Sequence, residues 1–307
     1  MSVALVTGAT GVVGRYITDA LLARDDRVRI VTRRSIKPWH ANLEVVQGDL
    51  RDRQIIEDSL TGVDSVYHCA AEFHNQGQIW EANVHVTERL LEVLASQPTR
   101  YLCYMGSAGV LGASNDAWVD ETTPCHPRDL YERSKWEAEK MVLSSSLNMN
   151  ICVLRPVFVV APERPGCLSY AIRDNWRDRL MIWVKGQERA HIIHAGDIAT
   201  AAIHFQNRDL AQPQCFFVAC DEDELSTLRG MYGYFHRKIP NSGGAEEIAL
   251  PASLPLWIPH NIRTLRRGPS LHGRVRFSSR KLQDYGVRLP YGFRGAIDDI
   301  RSQVSPP

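Results

Sequence analysis

The segment Thr7-Gly8-Ala9-Thr10-Gly11-Val12-Val13-Gly14 limits the possible folds of this 307-residue chain more than any other feature. It follows a short apolar run at residues 3–6, which is typical of a buried strand. It precedes residues 15–22, whose apolar side chains recur at helical spacing. Its three glycines permit, in order, a tight turn, close approach of a pyrophosphate to the backbone, and close packing of the helix on the strand. The N–H groups at the helix start would then face the phosphates, so the segment predicts a dinucleotide-binding turn.

Strand and helix patterns alternate through the first half of the chain and predict an α/β fold. Predicted strands cover residues 3–7, 28–32, 43–47, 65–69, 100–105 and 150–154, and predicted helices cover 14–23, 52–60, 80–96 and 130–146. Regular β-α-β order with right-handed crossovers implies a parallel sheet with helices on both faces. We therefore expect a Rossmann-type doubly wound sheet.

The pattern loosens after Arg155-Pro156, where prolines, aromatic residues and arginines replace the regular alternation. We expect a smaller C-terminal substrate-binding lobe after this point. The predicted division is a dinucleotide-binding domain at 1–157 with 191–220 returning to it, a substrate-binding lobe at 158–190 and 221–275, and a C-terminal segment at 276–307.

The overall composition is that of a globular protein, with 44% hydrophobic and 23% charged residues. The net charge of +1 gives no case for a nucleic-acid or membrane partner. The N-terminus has no basic region followed by a long apolar core, so we expect no signal peptide, and no apolar run is long enough to span a bilayer. The seven cysteines contain no C-x-x-C pair. This favours reduced thiols in the cytoplasm over a disulfide framework or a metal site.

The end of the second predicted strand favours NADP(H) over NAD(H). A carboxylate at this point favours NAD, whereas arginine accepts the 2′-phosphate of NADP. The sequence here is Val31-Thr32-Arg33-Arg34-Ser35, and the fork of donors on a guanidinium can bind two phosphate oxygens at once. The alternative is that Arg33 and Arg34 are solvated loop charges, so NAD(H) stays possible. Asp49, after the third strand, is expected to accept from the adenine amino group, to cap a helix, or both.

Tyr131 and Lys135 lie four residues apart on a predicted helix and therefore share one face. A nearby ammonium would lower the pKa of the phenol toward the working range, so that Tyr131 exchanges a proton with a substrate oxygen. Ser107 follows a strand whose C-terminal end opens onto the crevice, where its hydroxyl would orient the same oxygen. Alternatively, the tyrosine and lysine are surface residues of a helix and the serine caps a loop.

Taken together, these motifs resemble the extended short-chain dehydrogenase/reductase family, also called the NAD-dependent epimerase/dehydratase family. The positions that carry the resemblance are the glycine segment, Ser107, Tyr131-x-x-x-Lys135, His68-Cys69-Ala70-Ala71, Asn83-x-x-x-Thr87, Leu154-Arg155-Pro156, His194-x-x-Asp197 and residues 279–286. The resemblance implies an NAD(P)-dependent enzyme in which Ser107, Tyr131 and Lys135 are catalytic. It also implies a homodimer formed through the helices at 80–96 and 130–146.

The same positions define the expected binding residues. For the cofactor these are Gly8, Thr10, Gly11, Val12, Val13, Gly14, Arg33, Arg34, Asp49, Leu50, Ala70, Ala71, Asn83, Tyr131, Lys135 and Pro156. For the substrate they are Glu72, Ser107, Ala108, Phe158, Arg189 and His194.

Departures from the family patterns narrow the expected reaction. Ala108-Gly109 follow Ser107 where sugar-nucleotide dehydratases of the family carry an Asp-Glu pair, which disfavours dehydration. Phe158 stands where nucleotide-sugar epimerases usually carry a diphosphate-binding Asn, and Ala190 stands where they often carry an arginine, with Arg189 one residue away.

The aromatic residues of the lobe fit an apolar substrate but have a second interpretation. They either line an apolar substrate pocket or form the core of the lobe. The residues concerned are Phe158, Tyr170, Trp176, Trp183 and Trp257.

We therefore predict a ketoreductase or dehydrogenase that transfers hydride between NADP(H) and a carbonyl or secondary alcohol carbon. One alternative is a nucleotide-sugar 4-epimerase or 4-ketoreductase that uses the same residues. A second alternative is a non-catalytic protein that senses NADP(H).

Overall fold

The computed structural model describes residues 2–112, 114, 116–238, 248–259, 261 and 273–304. Its strands are β1 (Val3–Thr7), β2 (Arg27–Thr32), β3 (Leu43–Gln47), β4 (Ser65–His68), β5 (Tyr101–Met105), β6 (Trp118–Val119), β7 (Asn150–Pro156), β8 (Phe158–Val160), β9 (Ile192–His194), β10 (Gln214–Val218) and β11 (Arg276–Phe277). Its α-helices are α1 (Val12–Leu22), α2 (Arg53–Leu60), α3 (Gln76–Trp80), α4 (Val86–Leu94), α5 (Leu130–Leu143), α6 (Ser169–Arg173), α7 (Trp176–Lys185), α8 (Ala195–His204), α9 (Leu228–Phe235), α10 (Arg280–Asp284) and α11 (Gly292–Val304).

Seven strands form one sheet in the order β10-β7-β5-β4-β1-β2-β3, and all the pairs are parallel. This confirms the predicted Rossmann-type sheet. The strand order reverses at β1, which pairs with β2 on one side and β4 on the other. In such sheets the crevice for a ligand lies at this switch point, beyond the carboxyl ends of the strands.

The period-two alternation of the strands divides the buried side chains between two cores. In β1, Ala4 and Val6 belong to the core on one face of the sheet, and Leu5 belongs to the core on the other face. Helices α1 and α8 pack together on the first face, and α2, α4 and α5 supply apolar residues to the second. Because helices cover both faces, the sheet edge carrying the strand ends is left for binding.

The chain after β7 adds smaller elements beside the sheet. Strand β8 pairs in parallel with β9 and was not predicted from the sequence. It has three residues, and a strand this short shows no readable alternation. Helix α7 packs on α6 and α9, and α11 packs on β9 and α9. The division into a dinucleotide-binding domain, a lobe and a C-terminal segment stays a prediction.

The described residues lack both a membrane-spanning helix and a metal-binding cluster. None of the helices there combines the length and the apolar character needed to cross a membrane. The same part of the chain shows no group of three or more His, Cys, Asp or Glu side chains arranged to hold a metal ion.

Candidate active site

The glycine segment adopts the turn that its sequence predicts. Gly8 has a φ of +69°, and a Cβ there would lie 2.7 Å from the backbone nitrogen of Ala70. A Cβ on Gly14 would lie 2.4 Å from the carbonyl oxygen of Gly8. Gly11 is the N-cap of α1, and no side chain caps the first turn of this helix. Its backbone N–H groups are therefore left for an anion, which fits a dinucleotide pyrophosphate.

A cavity of about 820 Å³ extends from the glycine segment across the carboxyl ends of the strands. Every predicted cofactor-binding residue except Asn83 lines it, and so do the predicted substrate-binding residues Glu72, Ser107 and Phe158. The lining also includes residues that the sequence analysis did not single out, among them Phe73, His74 and Arg164.

The end of the cavity beyond β2 and β3 is cationic. Arg33 and Arg34 follow β2, are exposed, and form no side-chain hydrogen bond or ion pair with any described residue. The Asp49 carboxylate accepts hydrogen bonds from the backbone and guanidinium of Arg51, which lower its pKa. The expectation that Asp49 caps a helix is wrong, because Asp52 caps α2 by accepting from the backbone of Gln54.

Helix α5 carries Tyr131 in its first turn and Lys135 one turn later, and both residues line the cavity. The helix begins there because the Asp129 side chain accepts from the backbone N–H of Glu132. Arg128 in turn binds the Glu132 carboxylate and fixes the approach of the chain. The start of α5 thus holds the phenol and the ammonium at one wall of the cavity.

Ser107 caps a 3₁₀ turn and also lines the cavity. Its Oγ accepts a hydrogen bond from the backbone N–H of Gly109 at 3.1 Å and caps the 3₁₀ turn Ala108–Leu111. Because Oγ acts as an acceptor in this bond, its own proton is left to donate to a substrate oxygen.

Burial controls the ionisation of Tyr131 and Lys135. Burial raises the pKa of the Tyr131 phenol, and the positive charge of Arg164 partly opposes this shift. Lys135 is not among the charges that shift the Tyr131 pKa, contrary to the expectation that its ammonium lowers it. Burial also lowers the pKa of Lys135 to about 8, with Cys69 and Glu139 opposing the shift. The Lys135 ammonium lies 4.5 Å from the centre of the Tyr104 ring.

Asn83 lies behind the cavity wall, not in it, which corrects its predicted contact with the cofactor. Its side-chain oxygen accepts from the Glu72 backbone, and its side-chain nitrogen donates to the Glu72 carbonyl and to Ser134 in α5. A π-helical turn, Glu81–His85, buries it between α3 and α4. Asn83 therefore ties the loop after β4 to the helix that carries Tyr131 and Lys135.

A further network of hydrogen bonds links the π-helical turn Glu81–His85 to β1. The Thr87 hydroxyl donates to the Asn83 carbonyl and so accepts from Nε2 of His68, and Nδ1 of His68 accepts from Thr7. Burial, together with the charge of Lys135, lowers the pKa of His68 to about 3, so the imidazole is neutral. The Ala70 N–H donates to the Thr7 hydroxyl and completes the chain.

Glu72 lies at the rim of the cavity, but one of its oxygens is already bonded. Oε1 accepts from three successive backbone N–H groups, at Phe73, His74 and Asn75, and these bonds lower the pKa of the carboxyl. The predicted substrate contact is therefore limited to its other oxygen.

A second cavity of about 630 Å³ adjoins the first. The two cavities share four lining residues, Ser107, Pro156, Val157 and Phe158. The predicted substrate residues Ala108 and Arg189 line the second cavity. One guanidinium nitrogen of Arg189 donates to the Ser226 hydroxyl. Burial lowers the pKa of Arg189, and the positive charge of Arg276 lowers it further.

His194 lies outside both cavities, contrary to the prediction that it contacts the substrate. Its ring is fully buried, Nδ1 accepts from the backbone of Gly196, and Nε2 pairs with Asp299. Asp197 accepts from the backbones of Tyr291 and Gly292. The His-x-x-Asp motif therefore caps α8 and attaches the start of α11.

His191 lines the second cavity and was not predicted as a site residue from the sequence. Its Nδ1 lies 2.7 Å from a carboxylate oxygen of Asp221, and its Nε2 has no hydrogen-bond partner among the described residues. Its φ is +48°, an unusual value for a residue other than glycine. No sequence signal pointed to the pair, because its partner is 30 residues away and backbone strain leaves no trace in a single sequence.

The aromatic residues of the predicted lobe separate into two groups. Phe158 and Tyr170 line the second cavity. Trp176, Trp183 and Trp257 line neither cavity and are exposed. For these three tryptophans, both the pocket and the core interpretations are wrong.

Comparisons with known proteins show which family and which proteins the sequence resembles. The model of the NAD dependent epimerase/dehydratase family matches residues 4–218. Sterol demethylase protein B of Methylococcus capsulatus is 32% identical over 197 residues, which are 59% of this chain and 60% of that protein. A 3 beta-hydroxysteroid dehydrogenase/Delta 5→4-isomerase of Mycobacterium tuberculosis is 34% identical over 168 residues, which are 50% of this chain and 45% of that protein. The match thus spans about half the length of these curated relatives.

Among solved structures, the WbmG enzyme of Bordetella bronchiseptica in complex with NAD superposes with a TM-score of 0.75 at 16% identity. The superposition covers 98% of this chain and 93% of that one. At this identity the likeness supports the fold.

Proposed function

This chain belongs to the NAD dependent epimerase/dehydratase family, and we propose that it is a ketoreductase or dehydrogenase. In this proposal it transfers a hydride between NADP(H) and a carbonyl or secondary alcohol carbon of a small molecule. The expectation of a short-chain dehydrogenase/reductase type of protein is confirmed at the level of the family.

One observation carries the proposal: the two cavities meet at Ser107. The first cavity contains the glycine turn and the cationic end at Arg33, and the second contains apolar side chains such as Met181 and Leu228. A dinucleotide in the first cavity and an apolar substrate in the second would have their reacting ends beside Ser107 and Tyr131.

The ionisation of the site favours reduction of a carbonyl. The bound nicotinamide would supply the hydride. Burial raises the Tyr131 pKa and so disfavours the phenolate that alcohol oxidation would need as a base. The protonated phenol would donate its proton to the substrate oxygen as the hydride reaches carbon. The Ser107 hydroxyl would donate a second hydrogen bond to that oxygen and orient it. Lys135, which has no hydrogen-bond partner among the described residues, would hold the ribose hydroxyls.

The cofactor preference is proposed from Arg33 and Arg34. Both are unpaired within the described chain and line the first cavity where β2 ends. A ribose 2′-phosphate would meet two guanidinium groups and no unpaired carboxylate, since Asp49 is bound by Arg51.

A nucleotide-sugar 4-epimerase or 4-ketoreductase is the second candidate. Arg189 favours it, because this half-buried guanidinium faces the second cavity and lies in the field of Arg276. A diphosphate is a suitable partner for such a pair. The WbmG enzyme has also been solved with NAD and UDP. Dehydration stays disfavoured, because Ala108-Gly109 follow Ser107.

Three further features of the proposal rest on the sequence analysis. We propose a homodimer through α4 and α5, a small-molecule substrate with no nucleic-acid partner, and a cytoplasmic location. A non-catalytic role in sensing NADP(H) is the outcome to expect if binding occurs without turnover.

The cofactor preference is tested by measuring NADPH and NADH dissociation constants for the wild type and for Arg33→Asp. We expect the wild type to prefer NADPH, and the substitution to weaken NADPH binding roughly 10- to 100-fold, the value of one charge-assisted hydrogen-bonded contact. NADH binding should change little.

The matched control is Arg27→Asp, which makes the same charge change at the exposed opposite end of β2. It should leave NADPH binding unchanged. A wild type that prefers NADH, or an Arg33→Asp protein with unaltered NADPH affinity, would contradict the role given to Arg33.

A further inference from the structure

His191 is held in place from three sides at the wall of the second cavity. Its Nδ1 lies 2.7 Å from a carboxylate oxygen of Asp221, and its backbone carbonyl accepts from the N–H of Phe158 at 2.8 Å. Its ring packs at nearly a right angle against the ring of Phe277, with centres 5.2 Å apart. The imidazole therefore has one well-defined position.

The partner carboxylate is equally well fixed. Asp221 is buried, and the oxygen that bonds His191 also accepts from the backbone N–H of Phe277 at 2.9 Å. The backbone carbonyl of Asp221 accepts from the Ser226 hydroxyl. Because a carboxylate only accepts hydrogen bonds, Nδ1 of His191 carries the proton of their bond. In the neutral ring, Nε2 is then a hydrogen-bond acceptor.

The backbone at His191 departs from a regular strand. Its φ is +48°, immediately before β9 begins. Successive residues of a regular strand point to opposite faces, yet residues 188–191 all line the second cavity. The left-handed conformation therefore accompanies a break in the alternation that leaves His191 at the cavity wall. Backbone strain of this kind is concentrated at ligand-binding sites.

Nε2 of His191 is a buried acceptor with no hydrogen-bond partner. His191 as a whole is only 9% exposed. Buried polar atoms are nearly always hydrogen-bonded, so an unpaired one beside a cavity points to a missing ligand. Lys185 and Arg189 also line the cavity, but they only donate, and the Glu132 carboxylate there is bound by Arg128. Nε2 is therefore an acceptor that a ligand in this cavity would find unoccupied.

We propose that Nε2 of His191 accepts a hydrogen bond from a hydroxyl group of the substrate. The substrate is then an apolar hydroxy ketone, whose carbonyl lies beside Ser107 and whose hydroxyl lies at His191. A site built to bond a hydroxyl rejects analogues that lack it, because its buried polar atom is then left unpaired. The assignment to a substrate rests on the proposed function, whereas the hydrogen bond is measurable without any reaction.

The proposal is tested by the binding of an apolar phenol to the purified full-length protein without cofactor. The probes are β-naphthol and its methyl ether, and equilibrium dialysis gives the dissociation constant of each. The phenol donates a hydrogen bond, whereas the ether oxygen has no proton to donate. We expect the wild type to bind β-naphthol about tenfold more tightly than the ether, the value of one buried hydrogen bond.

Two single variants form a matched pair. His191→Phe keeps an aromatic ring but removes both nitrogens, and it should abolish the preference for β-naphthol with little change for the ether. The control is His204→Phe, the same change at a half-buried histidine that lines neither cavity, and it should keep the wild-type preference. If His191→Phe does not fold, nitrogen NMR of the histidine-labelled wild type replaces it. There β-naphthol, but not the ether, should shift the Nε2 signal of one ring protonated at Nδ1.

Three outcomes would overturn the proposal. These are equal affinities of the wild type for the phenol and the ether, no binding of either probe, and a preference that survives in His191→Phe. Because no hydride is transferred in these measurements, their failure leaves the proposed reductase function untouched. Conversely, a protein that reduces no carbonyl but shows the His191-dependent preference would contradict the reductase function and support the hydrogen bond.

Discussion

Lys135 is a buried ammonium whose charge lowers the stability of the folded protein, because burial disfavours the charged form. Burial lowers its pKa from the ordinary 10.5 to about 8. Because the unfolded chain binds this proton more tightly, the charged lysine lowers stability at pH values below about 8. Its cost falls as the pH rises from 8 toward 10.5. Functional groups held at such a cost are typical of active sites.

We predict that Lys135→Met abolishes activity and raises the melting temperature at pH 7 by about 2–4 °C. Denaturant titrations at pH 7 and pH 9.5 should show the stability advantage of the variant shrinking at the higher pH. The control is Lys140→Met on the same helix, at a side chain that is 47% exposed. A Lys135→Met protein less stable than the wild type at both pH values would contradict this account.

At the residue scale, the sequence predicted which side chains line the site better than it predicted their ionisation. The spacing of Tyr131 and Lys135 and the place of Ser107 after a strand were sufficient to bring them to one cavity. The Tyr131 pKa depends on burial and on Arg164, which is distant in sequence. The error at His194 has a similar cause, because a His-x-x-Asp pattern is equally typical of a helix cap and of a binding site.

At the scale of elements, an ion pair fastens α5 to β7. Arg155 and Glu139 are both buried, and their closest approach is 2.5 Å. Arg155-Pro156 forms the end of β7, and Glu139 lies one turn beyond Lys135. The pair therefore holds α5, which carries Tyr131 and Lys135, against the strand end at the mouth of the cavity.

We predict that Glu139→Ala lowers the unfolding free energy by about 3–5 kcal/mol, because it leaves the Arg155 guanidinium buried without its partner. Urea denaturation measures this loss. The comparison is Glu137→Ala, which removes an exposed ion pair with Lys140 on the same helix and should cost at most about 1 kcal/mol. Equal effects of the two substitutions would show that the buried pair does not fasten the helix.

The sequence predicted the strands and long helices because period-two and helical patterns are strong in buried elements. It missed local departures from these patterns. The predicted helix at 80–96 is interrupted by the π-helical turn at Asn83, whose bonds to Glu72 and Ser134 replace regular packing. The predicted helix at 130–146 ends at Leu143, where a run of serines competes for the backbone carbonyls.

At the scale of the whole molecule, function is divided between the sheet edge and the added elements. The sheet places the glycine turn, Ser107 and Pro156 at one edge, which the order of motifs in the sequence predicts. The second cavity and the exposed side of α7 depend on how α6, α7 and α9 pack beside the sheet. A single sequence does not show which aromatic side chains point inward, so the exposure of Trp176 and Trp183 could not be foreseen.

The central claim is that Tyr131 donates a proton during NADPH-dependent reduction in the joined cavities. It is tested most directly by following NADPH oxidation with a panel of ketones and 4-keto sugars, for the wild type and for Tyr131→Phe. We expect the wild type to oxidise NADPH with at least one of these compounds, and the variant to be at least about 100-fold slower while binding NADPH equally well. A Tyr131→Phe protein with the wild-type rate would contradict the claim. So would a wild type that interconverts nucleotide sugars without net consumption of NADPH.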